Sequence, residues 1–228
     1  SIVIEPDKEP SAKADRDYVL VLSDWTNEDP YEVMKTIMRG SDYYAIKKKN
    51  EQTIHGAWKA GALGDYFRRE WSRMPPMDMS DVAYDAFLIN GRPKVALEGA
   101  PGDKINLRII NAAASTYFYL DSATGPMTIV AADGPDVQPV DVKRILMAVA
   151  ETYDVIVAIP ASGAYEFRAT AQDGSGHASA FIGEGQEHGV EGPPRPNLYN
   201  MEEMMEMALM DGDTSHLPRP LPPYPILK

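Results

Sequence analysis

Hydrophobic and polar positions alternate most cleanly in the stretch Lys104–Asn111. Ile105, Leu107 and Ile109 fall on one face there, with Lys104, Asn106 and Arg108 on the other. A period of two predicts a strand with one buried face. The run Asp17–Asp24, DYVLVLSD, is instead apolar at every position from Tyr18 to Leu22, which predicts a strand buried on both sides. Shorter apolar runs predict strands over Ala86–Ile89, Tyr117–Leu120, Met127–Ala132, Arg144–Val149, Asp154–Ile159 and Ala164–Ala171. Asn90-Gly91 between them is the strongest short hairpin signal. Pro101-Gly102, Asp133-Gly134-Pro135 and Ser162-Gly163 supply further turns. With no helices between the strands after Tyr84, the pattern favours an all-β antiparallel sandwich or Greek-key barrel over alternating strands and helices; Met201–Met207 alone reads as a short helical piece. The strand from Tyr18 is expected to join the same core.

Residues from about 28 to 79 break this rhythm. Tyr31–Met38 has helical spacing after Pro30 and stops at Gly40, and Leu63, Tyr66, Phe67 and Trp71 stand at i, i+3, i+4 and i+8. The region reads as a helical insertion on a β scaffold. Residues 1–16 read as a linker, 17–183 as one domain, and 184–228 as an acidic, Met- and Pro-rich linker. Eight acidic residues and a single basic one, Arg195, lie between Glu184 and Asp213, and the chain ends in the polyproline-like strap Leu217–Pro225. Both ends therefore look like connections to further polypeptide.

Composition narrows the function classes. A formal charge of -12 argues against nucleic acid and against an anionic membrane surface. No apolar run approaches the roughly 20 residues that span a bilayer, and no signal segment stands at Ser1. The chain has no cysteine, which removes disulfides, thiolate nucleophiles and thiolate metal sites. No phosphate-binding Gly-Lys-Ser/Thr loop or Gly-x-Ser-x-Gly elbow is present either.

Several segments, weak singly, fall together in one order: Asp17-Tyr-Val-Leu-Val-Leu-Ser-Asp-Trp-Thr26, Ser41-Asp-Tyr-Tyr44, Phe87-Leu-Ile-Asn-Gly-Arg-Pro93, Pro101-Gly-Asp-Lys-Ile-Asn-Leu-Arg-Ile-Ile-Asn111 and Thr116-Tyr-Phe118. Met127-Thr-Ile-Val-Ala-Ala-Asp-Gly134, Val137-Gln-Pro-Val140 and Ala150-Glu-Thr-Tyr-Asp-Val-Ile-Val157 complete the set. They cover most of residues 17–181. In them the chain resembles the second, middle cupredoxin domain of bacterial copper-resistance multicopper oxidases, which are laccase-like. The resemblance implies a cupredoxin-like Greek-key β-barrel or sandwich, flanking cupredoxin domains in the same polypeptide, and a periplasmic or secreted location. It also implies a blue copper in the third domain and a trinuclear copper cluster between the first and third, with neither metal in the middle one.

Candidate chemistry agrees with that placement. A blue copper site needs a Cys thiolate with two His, and the four histidines, His55, His177, His188 and His216, form no His-x-His pair. No catalytic, cofactor-binding or metal-ligating residue is therefore assigned to this chain. Thioethers suit Cu(I), so Met74, Met77 and Met79, and the second group Met201, Met204, Met205, Met207 and Met210, are the open candidates; adaptable packing is what methionine more often does. His177 and His188 could meet across a loop. Asp133, Glu151 and Asp154 could do acid–base work but more simply cap turns, and Tyr153 resembles a tyrosine that ties down a chain crossing. The expected function is a non-catalytic structural middle domain of an oxidase acting on Cu(I) or phenols with reduction of O2. A Cu(I) carrier or storage module built on the Met clusters is the alternative, and an unrelated ligand-binding sandwich displaying surface aromatics ranks last. Surfaces that face missing neighbours are expected to leave apolar patches and weak self-association.

Overall fold

Apolar residues at every second position give each strand one face to bury, and the chain buries these faces between two mixed sheets. The computed structural model describes residues 13–39, 43–72, 82–195 and Tyr199. The chain begins with β1 (Arg16–Trp25), followed by four helices, α1 (Pro30–Met38), α2 (Tyr43–Lys48), α3 (Ile54–Lys59) and α4 (Leu63–Ser72). Then come β2 (Ala86–Ile89), β3 (Lys94–Leu97), β4 (Lys104–Asn111), β5 (Phe118–Ser122), β6 (Met127–Ala132) and β7 (Asp136–Val142). The last strands are β8 (Arg144–Met147), β9 (Thr152–Ala158), β10 (Ala164–Ala171), β11 (His177–Ile182) and β12 (Glu187–His188).

One sheet runs in the order β2-β1-β4-β9-β6-β7, and the other β3-β11-β10-β5-β8 with β12 added beside β10. Each sheet keeps two edges, so the architecture is a sandwich and not a closed barrel. Leu20, Leu22, Ile105, Leu107, Ile109, Val155 and Val157 from the first sheet meet Phe118, Leu120, Phe167, Ala169 and Ala180 from the second in one core. Alanines at 169, 171, 178 and 180 leave room for the larger side chains opposite.

Three expectations change. β1 is buried on one face only: Leu20 and Leu22 are fully covered, whereas Val19 is exposed. A continuous apolar run does not distinguish a doubly covered strand from one whose outer face stays partly open. The sheets are also not purely antiparallel, since β1 runs parallel to β4, β3 to β11 and β12 to β10. These pairs form where a long connection returns a strand across the sandwich end and not through a tight hairpin. Finally, Asn90-Gly91 makes the expected tight turn, closed by an antiparallel bridge between Ile89 and Arg92, but the strands beyond it part into different sheets. Its φ values of 51° and 76° are those of a type I′ turn, yet β2 lies in one sheet and β3 in the other. The Asn90 side chain instead extends the β1 ladder, accepting from Val21 N at 2.8 Å and donating to Val19 O at 2.9 Å. Pro93, which has no N–H to continue the ladder, offers its carbonyl to Ser179 N and so starts the pairing with β11.

The helical insertion is present, and α1 and α4 match the two periodic stretches. Asp29 caps α1 by accepting from Tyr31 N, with Pro30 in the first turn. Phe67 and Trp71 face solvent. The helical spacing of α4 therefore does not place these two aromatics in a core of the described residues. The inner side of the insertion docks through a small cluster of Tyr44, Val82 and Ala83. Glu28 accepts from the Tyr44 hydroxyl and from Lys47 Nζ at 2.8 and 2.7 Å. Burial pushes the Tyr44 phenol up to about 12, and the hydrogen bond to Glu28 adds to the rise. Lys48 and Asp173, with side chains 2% and 5% exposed, form an ion pair at 3.4 Å between α2 and the β10–β11 turn.

At one end of the sandwich the Asn111 side chain is buried. Its amide nitrogen reaches the carbonyls of Thr116, Met147 and Ala148 at 3.0, 3.3 and 3.0 Å, and its oxygen accepts from Ala113 N. Replacing it strands these buried backbone groups. Asn111→Leu is expected to lower unfolding free energy by about 3 kcal/mol, measured by urea denaturation of the 228-residue chain. A loss below the error of extrapolation would show that the network is dispensable.

Candidate functional site

A polar cleft lies on the outer face of the second sheet. Residues 166, 168 and 170 of β10 point the same way, opposite Phe181, Ser179 and His177 of β11. Except for Thr170, these side chains line a cleft of about 510 Å³ with Pro93, Lys94, Glu187 and Gly189. Lys94 sits over the Phe181 ring at 4.2 Å and pairs with Glu187 at 2.6 Å. Glu166 is the buried acid of this site, its side chain only 3% exposed. Arg168 grips it with two hydrogen bonds of 2.9 and 3.1 Å, Ser179 donates its hydroxyl, and Val190 donates its backbone N–H at 2.9 Å.

Burial alone would raise the Glu166 carboxyl. The bonds from Arg168, Ser179 and Val190 outweigh it and hold the group below the usual glutamate range. An acid with every lone pair engaged is a fastening point and a poor proton donor at neutral pH. What it fastens is the chain after β11: β12 pairs with β10, Gly192 lies against Thr170, and Arg195 Nε donates to Gly174 O at 3.1 Å. Sequence reasoning missed this acid. The signal available was Glu166 and Arg168 on one face of an otherwise apolar strand.

The candidates taken from the sequence do not gather. His177 lies opposite Thr170 of β10, and His188 lies beside Tyr165. Five residues of strand separate those two positions, on the order of 16 Å, so the two histidines do not meet across the loop. His188 stacks on Tyr165 at 4.7 Å. His177 is pushed down by desolvation against the cleft wall and then by the Arg168 guanidinium. His55 sits on α3 next to Trp58.

Asp133 and Glu151 border one shallow cavity of about 430 Å³, but each caps backbone: Asp133 accepts from Thr152 N and Glu151 from Ala148 N. Asp154 lies opposite Arg108 and is raised by burial. The half-buried Tyr153 phenol is pushed up to about 12, first by burial and then by Glu151 and Asp133. Its ring packs against the core, and the chain crossing near it is tied by Asn111 instead. Met74, Met77, Met79, Met201, Met204, Met205, Met207, Met210 and His216 lie outside the described residues.

Among the described residues no group of three His, Asp or Glu side chains could hold a metal ion. Together with the absence of cysteine from the chain, this means that the described side chains do not fit a blue copper or trinuclear centre.

The family profile described as Multicopper oxidase matches residues 16–186. Copper resistance protein A of Pseudomonas syringae pv. tomato is 36% identical over 230 residues, covering 92% of this chain and 37% of that protein. Copper resistance protein A of Escherichia coli is 38% identical over 219 residues, covering 90% of this chain and 35% of that protein. The chain thus spans little more than a third of the length of these relatives. Among solved structures, the laccase from Botrytis aclada superposes with a TM-score of 0.53 at 20% identity, covering 84% of this chain and 34% of that one. At that identity the match speaks for the fold alone, a cupredoxin-like sandwich.

The depressed Glu166 carboxyl has a pH consequence. A group held below its unfolded value contributes stability that is present above the unfolded pKa and fades as pH falls through the folded one. Glu166→Gln is therefore expected to be destabilised relative to the parent at pH 7. The gap should narrow once pH drops below the ordinary glutamate value of 4.5, as read from urea midpoints across pH 3–7. A gap independent of pH would remove Glu166 as a titrating contributor.

Proposed function

We propose that this chain, which belongs to the multicopper oxidase family, is a structural middle domain of a longer copper-dependent oxidase and carries out no redox step by itself. The observation that carries the reading is a family sandwich without cysteine, in which the described histidines, His55, His177 and His188, lie on three separate elements. A copper oxidase needs those ligands, so its centres would lie in flanking cupredoxin domains. The span of about a third of the relatives' length leaves room for two such neighbours. In the whole enzyme the substrate would be Cu(I) or a phenol, with O2 as the electron acceptor, in the periplasm or outside the cell.

The domain's contribution in this reading is geometric. A sandwich with one end locked by Asn111 and the outer face of its second sheet fastened through Glu166 would hold two neighbours at a set separation. Exposed Trp25 at the end of β1 and Tyr117 before β5 are the aromatic handles that adjoining domains would cover.

The test is an anaerobic Cu(I) titration of the 228-residue chain against a chromogenic chelator, with phenol oxidase activity measured on the same copper-loaded sample. No oxidase activity is expected, while a longer polypeptide carrying both neighbouring domains is expected to oxidise phenol or Cu(I). Copper-dependent oxidation by the isolated chain, surviving metal-free controls, would overturn the reading. Tight stoichiometric Cu(I) binding without oxidation would assign the methionines a copper-handling role in addition to the structural one.

A further inference from the structure

Tyr199 is placed against the helical insertion. Its hydroxyl accepts a hydrogen bond from Thr53 N at 3.0 Å. Thr53 also caps α3, its side-chain oxygen accepting from Gly56 N at 3.0 Å. A Cβ at Gly56 would overlap the Tyr199 hydroxyl and ring, so the glycine is what lets the tyrosine approach. The C-terminal chain is thus fastened in sequence at Glu166, at Gly174 and finally at α3.

What lies beside that last fastening point is an uncovered apolar surface. Ile54 and Trp58 stand at i, i+4 on α3 and are 56% and 65% exposed; Phe67 and Trp71 stand at i, i+4 on α4 and are 55% and 92% exposed. The two helices are neighbours. Large apolar side chains exposed in such rows mark a surface that something covers. The insertion also departs from the chain's charge: residues 30–72 contain eight Lys and Arg against five Asp and Glu, in a molecule of net charge -12.

We propose that the segment Met201–Met210, delivered by the Tyr199 anchor, seats on the exposed faces of α3 and α4. Three observations on the chain select this occupant. Met201 is two residues beyond Tyr199, hence within about 7 Å of it, so the segment starts at the surface it would cover. Its sequence MEEMMEMALM combines five methionines with Leu209, side chains that adapt to irregular apolar surfaces. Its acids Glu202, Glu203 and Glu206, with no basic residue among them, complement Lys59 and Arg68 on α3 and α4. The insertion and the C-terminal linker then form one unit, and the methionines sit at a fixed place on the body of the domain.

The experiment uses the full 228-residue chain and a glutamyl endopeptidase that cuts after Glu202, Glu203 and Glu206. Gly56→Ala removes the space that Tyr199 needs while favouring the helix that contains it, so folding and anchoring separate. Cleavage of the parent is expected to be at least ten-fold slower than cleavage of Gly56→Ala and of Tyr199→Leu, with the thermal midpoint of Gly56→Ala not lowered. Trp58→Lys with Trp71→Lys, both at exposed positions, should accelerate cleavage equally, and molar salt should accelerate it in the parent. Equal rates in the parent and Gly56→Ala would overturn the proposal. So would protection that persists in the double Lys variant, or protection that rises with protein concentration, which would point to a second copy as the occupant.

Discussion

The Asn111 amide occupies the point where both sheets exchange strands. β4 of the first sheet ends there, the loop to β5 of the second sheet begins there, and the corner from β8 back to β9 passes over it. Backbone bonds run through the same residue, from Asn111 N to Glu151 O and from Ala150 N to Asn111 O. A buried side-chain amide can satisfy several carbonyls at once in a low-dielectric setting, where leaving them bare is costly. That satisfaction lets the corner hold Ala150 at a φ of 69°, a left-handed conformation costing about 1 kcal/mol or more for a residue with a Cβ. Asp24 supports the same end from β1, taking bonds from Ala114 N and from the Thr116 hydroxyl at 2.9 and 2.8 Å.

Charged anchors, beside the small apolar cluster of Tyr44, Val82 and Ala83, attach the insertion to that framework. The insertion is tied by Glu28, Lys47 and Asp85 at its root and by the nearly buried Lys48–Asp173 pair on its far side. Asp85 is held below its ordinary range chiefly by the backbone N–H of Asn27, and Glu28 chiefly by Lys47. Buried pairs of this kind set position more than they add net stability, because desolvation offsets most of their attraction. The same logic governs Glu166, which orients the chain after β11. A sandwich with charged anchors at two distant places can carry an inserted layer and a fastened linker without altering its core.

The family sandwich is retained here without a cysteine for a blue copper, and a fold can be shared where a site is not. Among the described residues, Asp133 and Glu151 cap the backbone, and His55, His177 and His188 lie on separate elements. The exposed apolar side chains of α3 and α4 take no part in the core, and Tyr199 is fastened beside them.

Much was legible in the residues alone. Period-two alternation located β4, and apolar runs located β1, β2, β5, β6, β8, β9 and β10 to within a few residues, because burying one face of a strand imposes that pattern locally. The absence of cysteine excluded thiolate copper chemistry outright, a matter of ligand identity that no folding can change. β3, β7, β11 and β12 were not legible: β11 is built of small residues, β7 carries Pro139 on an edge, and β12 has only two residues. The six-residue helices α2 and α3 are too short to show a period. Which sheet each strand joins, the use of Asn90 as a ladder extension, the burial of Glu166 and the approach of Tyr199 to Gly56 were decided only in three dimensions. Each depends on groups tens of residues apart in the chain, and local sequence records a residue's own preference but not which distant partner satisfies it.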